Sequence, residues 1–213
     1  MTRTRQSERP EGLRERKRRE TYRLLATTAL RLVAERGLDR VTVEDISGAV
    51  GVSPRTFFNY FASKEDALFL AYPDQNEGVR LAAERIASMP ERLSPLRVLA
   101  ASWRDELAQM DEDREEWLVR LEVIGDHPTL TARALAWEAQ DERRKVDALA
   151  ERLGLDRDDP YPTLVYHVVG GVLYAAMTHW RRLGGTVPLT TLVDQGLAQV
   201  ESGLPAPPRR TPV

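Results

Sequence analysis

The stretch Val41-Thr42-Val43-Glu44-Asp45-Ile46-Ser47-Gly48-Ala49-Val50-Gly51-Val52-Ser53-Pro54-Arg55-Thr56-Phe57-Phe58-Asn59-Tyr60-Phe61-Ala62-Ser63-Lys64-Glu65-Asp66 packs three helix starts into 26 residues, each with its own cap chemistry. Thr42 is placed to cap a helix whose N3 residue is Asp45, with Val41 stapling to Ile46. Ser53 caps a second, with Pro54 at N1 and Val52 stapling to Phe57, and Ser63 with Asp66 opens a third. Gly51 sits in the turn between the first two. Helix, short Gly-containing turn, helix is the helix-turn-helix arrangement, whose second helix enters the DNA major groove.

On that second helix Phe57 and Phe61 stand four apart, so they share a face and are expected to pack with Ile46, Val50 and the helix before them. The opposite surface presents Pro54, Arg55, Phe58 and Asn59. Arginine pairs bidentately with guanine and asparagine with adenine, which makes Arg55 and Asn59 the expected base readers. Thr42, Ser53, Thr56, Tyr60 and Lys64 stand at helix ends or flanks, where hydroxyls, an ammonium and free backbone N–H groups hold phosphates without reading sequence. For any one of these side chains an ordinary solvated polar residue is the competing reading. The constellation, rather than a single member, points to DNA.

Upstream, Leu25, Ala29, Leu32 and Val33 follow helical spacing and the segment stops at Gly37, which predicts a first helix over about 16–36. The charge is lopsided. Residues 1–64 carry fourteen Lys/Arg against eight Asp/Glu, and the remainder carries seventeen against twenty-five. The run Arg16-Lys17-Arg18-Arg19 suits a phosphate-binding arm, with Lys17 as a contact; a solvated helix face is the alternative.

The 213 residues are 42% hydrophobic and 30% charged, enough apolar surface for one or two cores wrapped in charge-rich helices. Cysteine is absent, which removes disulfides, thiolate zinc sites and cysteine nucleophiles. No apolar run reaches the roughly 18 residues of a membrane span, and a cytoplasmic address is the default. Further helices are expected near 43–50, 54–60, 64–71, 75–88, 94–109, 112–125, 128–153, 161–183 and 188–203, and no strand. The chain reads as all-α: a disordered basic arm (1–13), a three-helix helix-turn-helix domain (14–71), a helical ligand-binding and dimerisation bundle (72–204) and a disordered tail (205–213).

The motifs Ala34-Glu35-Arg36-Gly37, Val41-Thr42-Val43-Glu44-Asp45-Ile46, Gly51 through Phe61 and Ser63-Lys64-Glu65-Asp66 resemble the TetR-type one-component transcriptional regulators over about the first seventy residues. The resemblance implies an all-helical homodimer with an N-terminal DNA-binding domain, a variable C-terminal ligand domain, and repression relieved by a small molecule. Phe58 stands where many relatives have tyrosine, which removes the phosphate contact a hydroxyl would make. Leu13-Arg14-Glu15-Arg16-Lys17 with Thr-Phe-Phe-Asn-Tyr-Phe at 56–61 is also similar to a subset whose ligand domain is described as binding acyl-CoA-like ligands.

In the C-terminal part Leu164, Val168, Gly171, Val172 and Ala175 form an apolar stripe with small residues, and Leu189, Leu192, Val193, Leu197 and Val200 form another after Gly184-Gly185. Two such hairpins would make a four-helix homodimer contact, with Leu164, Val168, Gly171, Val172, Ala175, Leu192 and Leu197 in the interface. Burial inside a single chain is the other reading of both stripes. Trp103, Trp117 and Trp137 fall on successive expected helices, where they either pack a core or line an apolar cavity with Leu121, Ile124 and Tyr174. Arg120, Tyr166 and His167 are candidates for meeting the polar end of a small apolar effector, fatty-acyl-CoA-like or aromatic. His127, His167 and His179 share no ligand spacing, so neither metal nor cofactor is expected. No Gly-rich phosphate loop, nucleophile elbow or Ser/His/Asp order supports an enzyme. A non-specific nucleoid-type DNA protein fits the basic end but not Arg55 and Asn59 on one exposed face. The partner expected is double-stranded DNA carrying an inverted-repeat operator, because one short helix reads too few base pairs alone.

Overall fold

The computed structural model describes residues 13–69 and 75–205, all helical or irregular, with no strand among them. The expected arm and tail lie, apart from Leu13 and Pro205, outside the described residues. The chain divides into two compact units, Met1–Pro73 and Asp74–Val213.

The first unit is built on α1 (Leu13–Arg36), which begins three residues earlier than its apolar periodicity indicates. Leu25, Ala26, Ala29, Leu32 and Val33 are buried along it, and the helix ends where the Gly37 N–H reaches the Val33 carbonyl at 2.8 Å. A 3-10 turn at Leu38–Arg40 leads into α2 (Val43–Val50). Thr42 and Asp45 cap α2 reciprocally: the Thr42 N–H donates to Asp45 Oδ2 at 2.9 Å and the Asp45 N–H to the Thr42 hydroxyl at 3.1 Å. Those donors hold the Asp45 carboxyl below its ordinary range, the Thr42 amide first and its hydroxyl second. Gly51 then adopts the left-handed conformation, φ 77° and ψ 30°, and Val52 N–H closes the turn on the Ser47 carbonyl at 3.0 Å. α3 (Pro54–Phe58) starts on the Ser53 cap and α4 (Lys64–Ala67) on the Ser63 cap. Ile46, Phe57, Phe61 and Leu68 complete the core against α1.

The second unit comprises α5 (Gln75–Ser88), α6 (Pro95–Ala100), α7 (Arg104–Glu112), α8 (Arg114–Asp126), α9 (Pro128–Leu153), α10 (Pro160–Arg182) and α11 (Leu189–Glu201). α5 packs on α9, and α10 packs on both α6 and α11. Ile86, Val98, Leu99, Leu107, Leu149, Val169, Trp180, Val193 and Leu197 form one buried cluster. The single helix expected over 94–109 is instead two helices joined by a 3-10 turn at Ala101–Trp103. There the Ser102 hydroxyl turns back to the Leu99 carbonyl at 2.7 Å, and Arg85 from α5 donates to the Ser102 carbonyl at 3.2 Å. α11 is fastened at both ends. Asp111 of α7 accepts from the Leu189 and Thr190 amides and from the Thr190 hydroxyl at 2.8 Å, while Arg97 of α6 pairs with Glu201 at 2.9 Å and Asp194 at 3.0 Å.

Candidate nucleic-acid interface

α3 is one and a half turns long, so its orientation comes from what anchors it. The Ser53 hydroxyl accepts from the Thr56 amide at 3.2 Å and sits 2.9 Å from the Thr56 hydroxyl, while Pro54 presets the first helical φ. On the inner side Phe57 is fully buried. Its ring lies 5.4 Å from Phe61, which in turn lies 4.6 Å from Tyr22 of α1. That aromatic ladder fixes the outer side. Arg55, Phe58 and Asn59 are exposed there, Phe58 at 56%, and Pro54, Thr56 and Tyr60 are half-buried beside them.

The flanking residues are more engaged than their sequence positions suggest. The Thr42 hydroxyl gives its proton to Asp45 Oδ2 at 2.8 Å, so the cap already engages the hydroxyl expected at a phosphate. Lys64 departs further from the expected phosphate contact. Its Nζ donates to the Leu38 carbonyl at 2.7 Å and the Val41 carbonyl at 2.8 Å, satisfying the end of the 3-10 turn and pinning α4 beneath it. Two of its three protons are thereby spent inside the protein. Lys17 is exposed on the first turns of α1.

In the second unit the residues expected around a ligand divide into three groups. Trp103 lies 5.8 Å from the buried Tyr166, and the fully buried Arg120 holds Glu116 and stacks 5.2 Å from Trp117. Leu121 and Ile124 are half-buried on the same helix as Arg120. Tyr174 is 72% exposed and His167 is exposed, pairing with Glu142 at 3.4 Å, so neither lines an interior. The side chain of Trp137 lies outside the described residues. Two charged residues near Trp103 escaped the sequence reading. Lys145 is buried with its ammonium 3.5 Å from the Trp103 ring centre, and Glu106 Oε2 is buried with no hydrogen-bond partner among the described residues. Burial pushes the Glu106 carboxyl above its ordinary range despite the nearby Lys145 and Arg85 cations. The signal was available for Lys145, which stands one helical turn before the buried Leu149.

The apolar stripe of α10 also divides. Leu164, Gly171 and Ala175 are exposed and Val168 is half-buried, whereas Val172 is turned into the chain's own core. Leu197 is likewise buried within the chain and Leu192 half-buried, because α11 lays its apolar face on α7 and α10. Val172 and Leu197 therefore hold the hairpin together and are not available to a second copy.

Two families match along the chain: residues 25–72 match the bacterial regulatory proteins of the tetR family, and residues 93–205 match the MftR C-terminal domain. The regulator TcmR of Streptomyces glaucescens is 31% identical over 176 residues, covering 79% of this chain and 76% of the relative. MftR of Mycobacterium tuberculosis, named for mycofactocin biosynthesis, is 28% identical over 191 residues, covering 89% and 93%. Among solved structures, FadR of Bacillus halodurans superposes with a TM-score of 0.57 at 20% identity, covering 86% of this chain and all of that one. FadR of Thermus thermophilus, in complex with lauroyl-CoA, gives 0.50 at 21%, covering 90% and 99%. With a helix-turn-helix unit whose outer face is built from Arg55, Phe58 and Asn59, and matches that together span most of its length, the chain belongs to the TetR family of DNA-binding transcriptional regulators.

Proposed function

We propose that this regulator is a homodimeric repressor that holds an inverted-repeat operator in the cytoplasm and releases it when a small, predominantly apolar ligand enters the C-terminal unit. The carrying observation is the α3 surface, where Arg55 and Asn59 project together from a helix anchored by Phe57 and Phe61. A five-residue helix reads only a few base pairs, so selectivity on a chromosome asks for two copies and a two-fold symmetric site. For the second copy, Leu164, Val168, Gly171 and Ala175 offer a narrow strip along one face of α10, with Leu164 59% exposed.

The ligand assignment rests on the half-buried Trp103, Trp117, Leu118 and Leu121 around the core, and on a fold that in Thermus thermophilus FadR holds lauroyl-CoA. A fatty-acyl-CoA-like effector is the first reading. A small aromatic compound is the second, favoured by the Trp103–Tyr166 ring contact. Either must bind the DNA-competent and DNA-incompetent states with different affinity, since equal affinity shifts nothing. Selection of duplexes from a random pool, followed by titration of acyl-CoAs of increasing chain length against the selected complex, tests the whole reading. An enriched inverted repeat, released more readily as the chain lengthens, supports it. Indifference to every acyl-CoA at saturation rules out the effector class, and absence of an inverted repeat rules out the symmetric operator.

A further inference from the structure

We propose that Glu106 is a specificity residue of the effector site: its Oε2 accepts a hydrogen bond from a neutral N–H or O–H group of an otherwise apolar effector lying against Trp103. The proposal rests on the ligand-responsive reading of the C-terminal unit above and names what that ligand must carry. Glu106 as a residue is half-buried, yet Oε2 is shut off from water and has no hydrogen-bond partner among the described residues. A carboxylate oxygen withdrawn from water without a donor is costly, and it asks for a partner that the fold itself does not supply. The upward displacement of this carboxyl by burial agrees with that shortage.

The neighbouring donors are committed elsewhere. Arg85 spends its guanidinium on Asp105 and on the Ser102 carbonyl, and Ser102 turns its hydroxyl to the Leu99 carbonyl at 2.7 Å. Lys145 lies with its ammonium 3.5 Å from the centre of the Trp103 ring; its charge reaches Glu106, but it makes no hydrogen bond to Oε2. The rest of the setting is aromatic. Trp103 stands three residues before Glu106, about one turn away, and its half-buried ring lies 5.8 Å from Tyr166 of α10.

Charge decides which kind of donor fits. The charges acting on Glu106 are Lys145, Arg85 and Asp105, so two cations already balance two carboxylates. An ammonium or a carboxylate on the ligand would bring in a buried charge with no counter-ion left for it. A neutral amide or hydroxyl brings none. The amide N–H groups on the pantetheine arm of an acyl-CoA qualify, as does the hydroxyl of a phenol, whereas an alkyl chain alone does not.

The test titrates the full-length chain with decanamide, 1-decanol, methyl decanoate and decylamine, followed by tryptophan fluorescence and by the rise in Tm, with lauroyl-CoA as a control. The titrations run at about pH 8, on the alkaline side of the carboxyl, where it is ionised and only accepts. The wild-type chain should bind decanamide and decanol about 10- to 100-fold more tightly than methyl decanoate, the worth of one hydrogen bond to a charged group. Glu106→Leu should erase that preference and leave methyl decanoate binding unchanged, with Glu106→Met in its place if the leucine variant does not fold. Glu106→Gln, whose carbonyl still accepts, should keep the order with a smaller margin. A preference that survives undiminished in Glu106→Leu overturns the proposal, and so does decylamine binding more tightly than decanamide. A chain that binds lauroyl-CoA but treats amide, alcohol and ester alike, or binds none of them, loses the Glu106 site and keeps its effector reading. A chain that binds neither lauroyl-CoA nor any of the four probes loses both.

Discussion

Gly196 on α11 is where the packing of the C-terminal hairpin can be read from a single methyl group. A Cβ built at this position would meet Val172 Cγ1 of α10 at 2.7 Å, closer than two carbon atoms tolerate. Valine in a helix has essentially one χ1 rotamer, so Val172 cannot swing aside and either the helices separate or the side chain strains. Overpacking of this kind costs about 1–3 kcal/mol, against which Gly→Ala in a helix returns up to about 1 kcal/mol of propensity. Gly196→Ala should therefore lose about 0.5–2 kcal/mol net, roughly 2–6 °C in Tm for a unit of this size. Val172→Ala removes two methyl groups and should cost about 1–3 kcal/mol by itself. In the double variant the new methyl occupies part of the space left by the old ones, so the combined loss should fall short of the sum by about 1–2 kcal/mol. Urea unfolding followed by tryptophan fluorescence isolates this unit, because Trp103, Trp117, Trp137 and Trp180 all lie beyond residue 100. Protein concentration must be held fixed if the chain dimerises. A Gly196→Ala protein as stable as wild type, together with simple additivity in the double variant, would refute the close approach of α10 and α11.

Arg55→Ala should cost about 1–3 kcal/mol on the cognate duplex and relax preference at one position per half-site; equal losses on cognate and random DNA in anisotropy titrations would remove it as a base reader. Lys64→Ala should destabilise the first unit by about 1–3 kcal/mol, because two charge-assisted bonds to the Leu38 and Val41 carbonyls disappear, with reduced hydrogen-exchange protection of α2 and α4 as the readout. Gly171→Arg should convert a dimer to a folded monomer in light scattering, since the position is exposed and nothing in the chain approaches within 4 Å of a Cβ there. Burial raises the folded-state pKa of Glu106 above the ordinary carboxylate value of the unfolded chain, so it binds more protons folded than unfolded between the two values. Its contribution to stability is thus greatest below the unfolded value and is lost as pH rises through the folded pKa; Tm measured from acid to neutral pH should show this fall in wild type and not in Glu106→Gln.

The residues legible in the sequence were those whose partners lie within a turn or two. Thr42 with Asp45, Ser53 with Thr56 and Ser63 with Asp66 close caps over three residues, and local chemistry alone places them. Gly51 was equally readable, since a left-handed turn between two short helices asks for it. Lys64 was not, because the carbonyls that hold it come from 23 and 26 residues upstream. The break at Ala101–Trp103 was hidden for the same reason: the Arg85 guanidinium that meets Ser102 belongs to another helix. The α10 stripe shows a different limit. Period 3.6 marks Leu164 and Val172 alike, yet one faces solvent and the other the core, and only the position of α11 decides between them.

The cap that Asp111 supplies to α11 has a bearing on how the chain matures during synthesis. Pro188 precedes α11 without a side-chain cap bond, and the donors of the first turn go instead to a carboxylate 78 and 79 residues earlier. At roughly 5–20 residues per second, a ribosome takes several seconds to travel that distance. Through that interval α7 has neither the amides that satisfy Asp111 nor the Leu189, Val193 and Leu197 face that belongs in its core. Until α11 is made, α7 and then α10 lack the helix that packs against both, leaving apolar surface of the kind chaperones recognise. Slowing translation after residue 182 should therefore lengthen chaperone occupancy on the nascent chain, whereas slowing it before Asp111 should not.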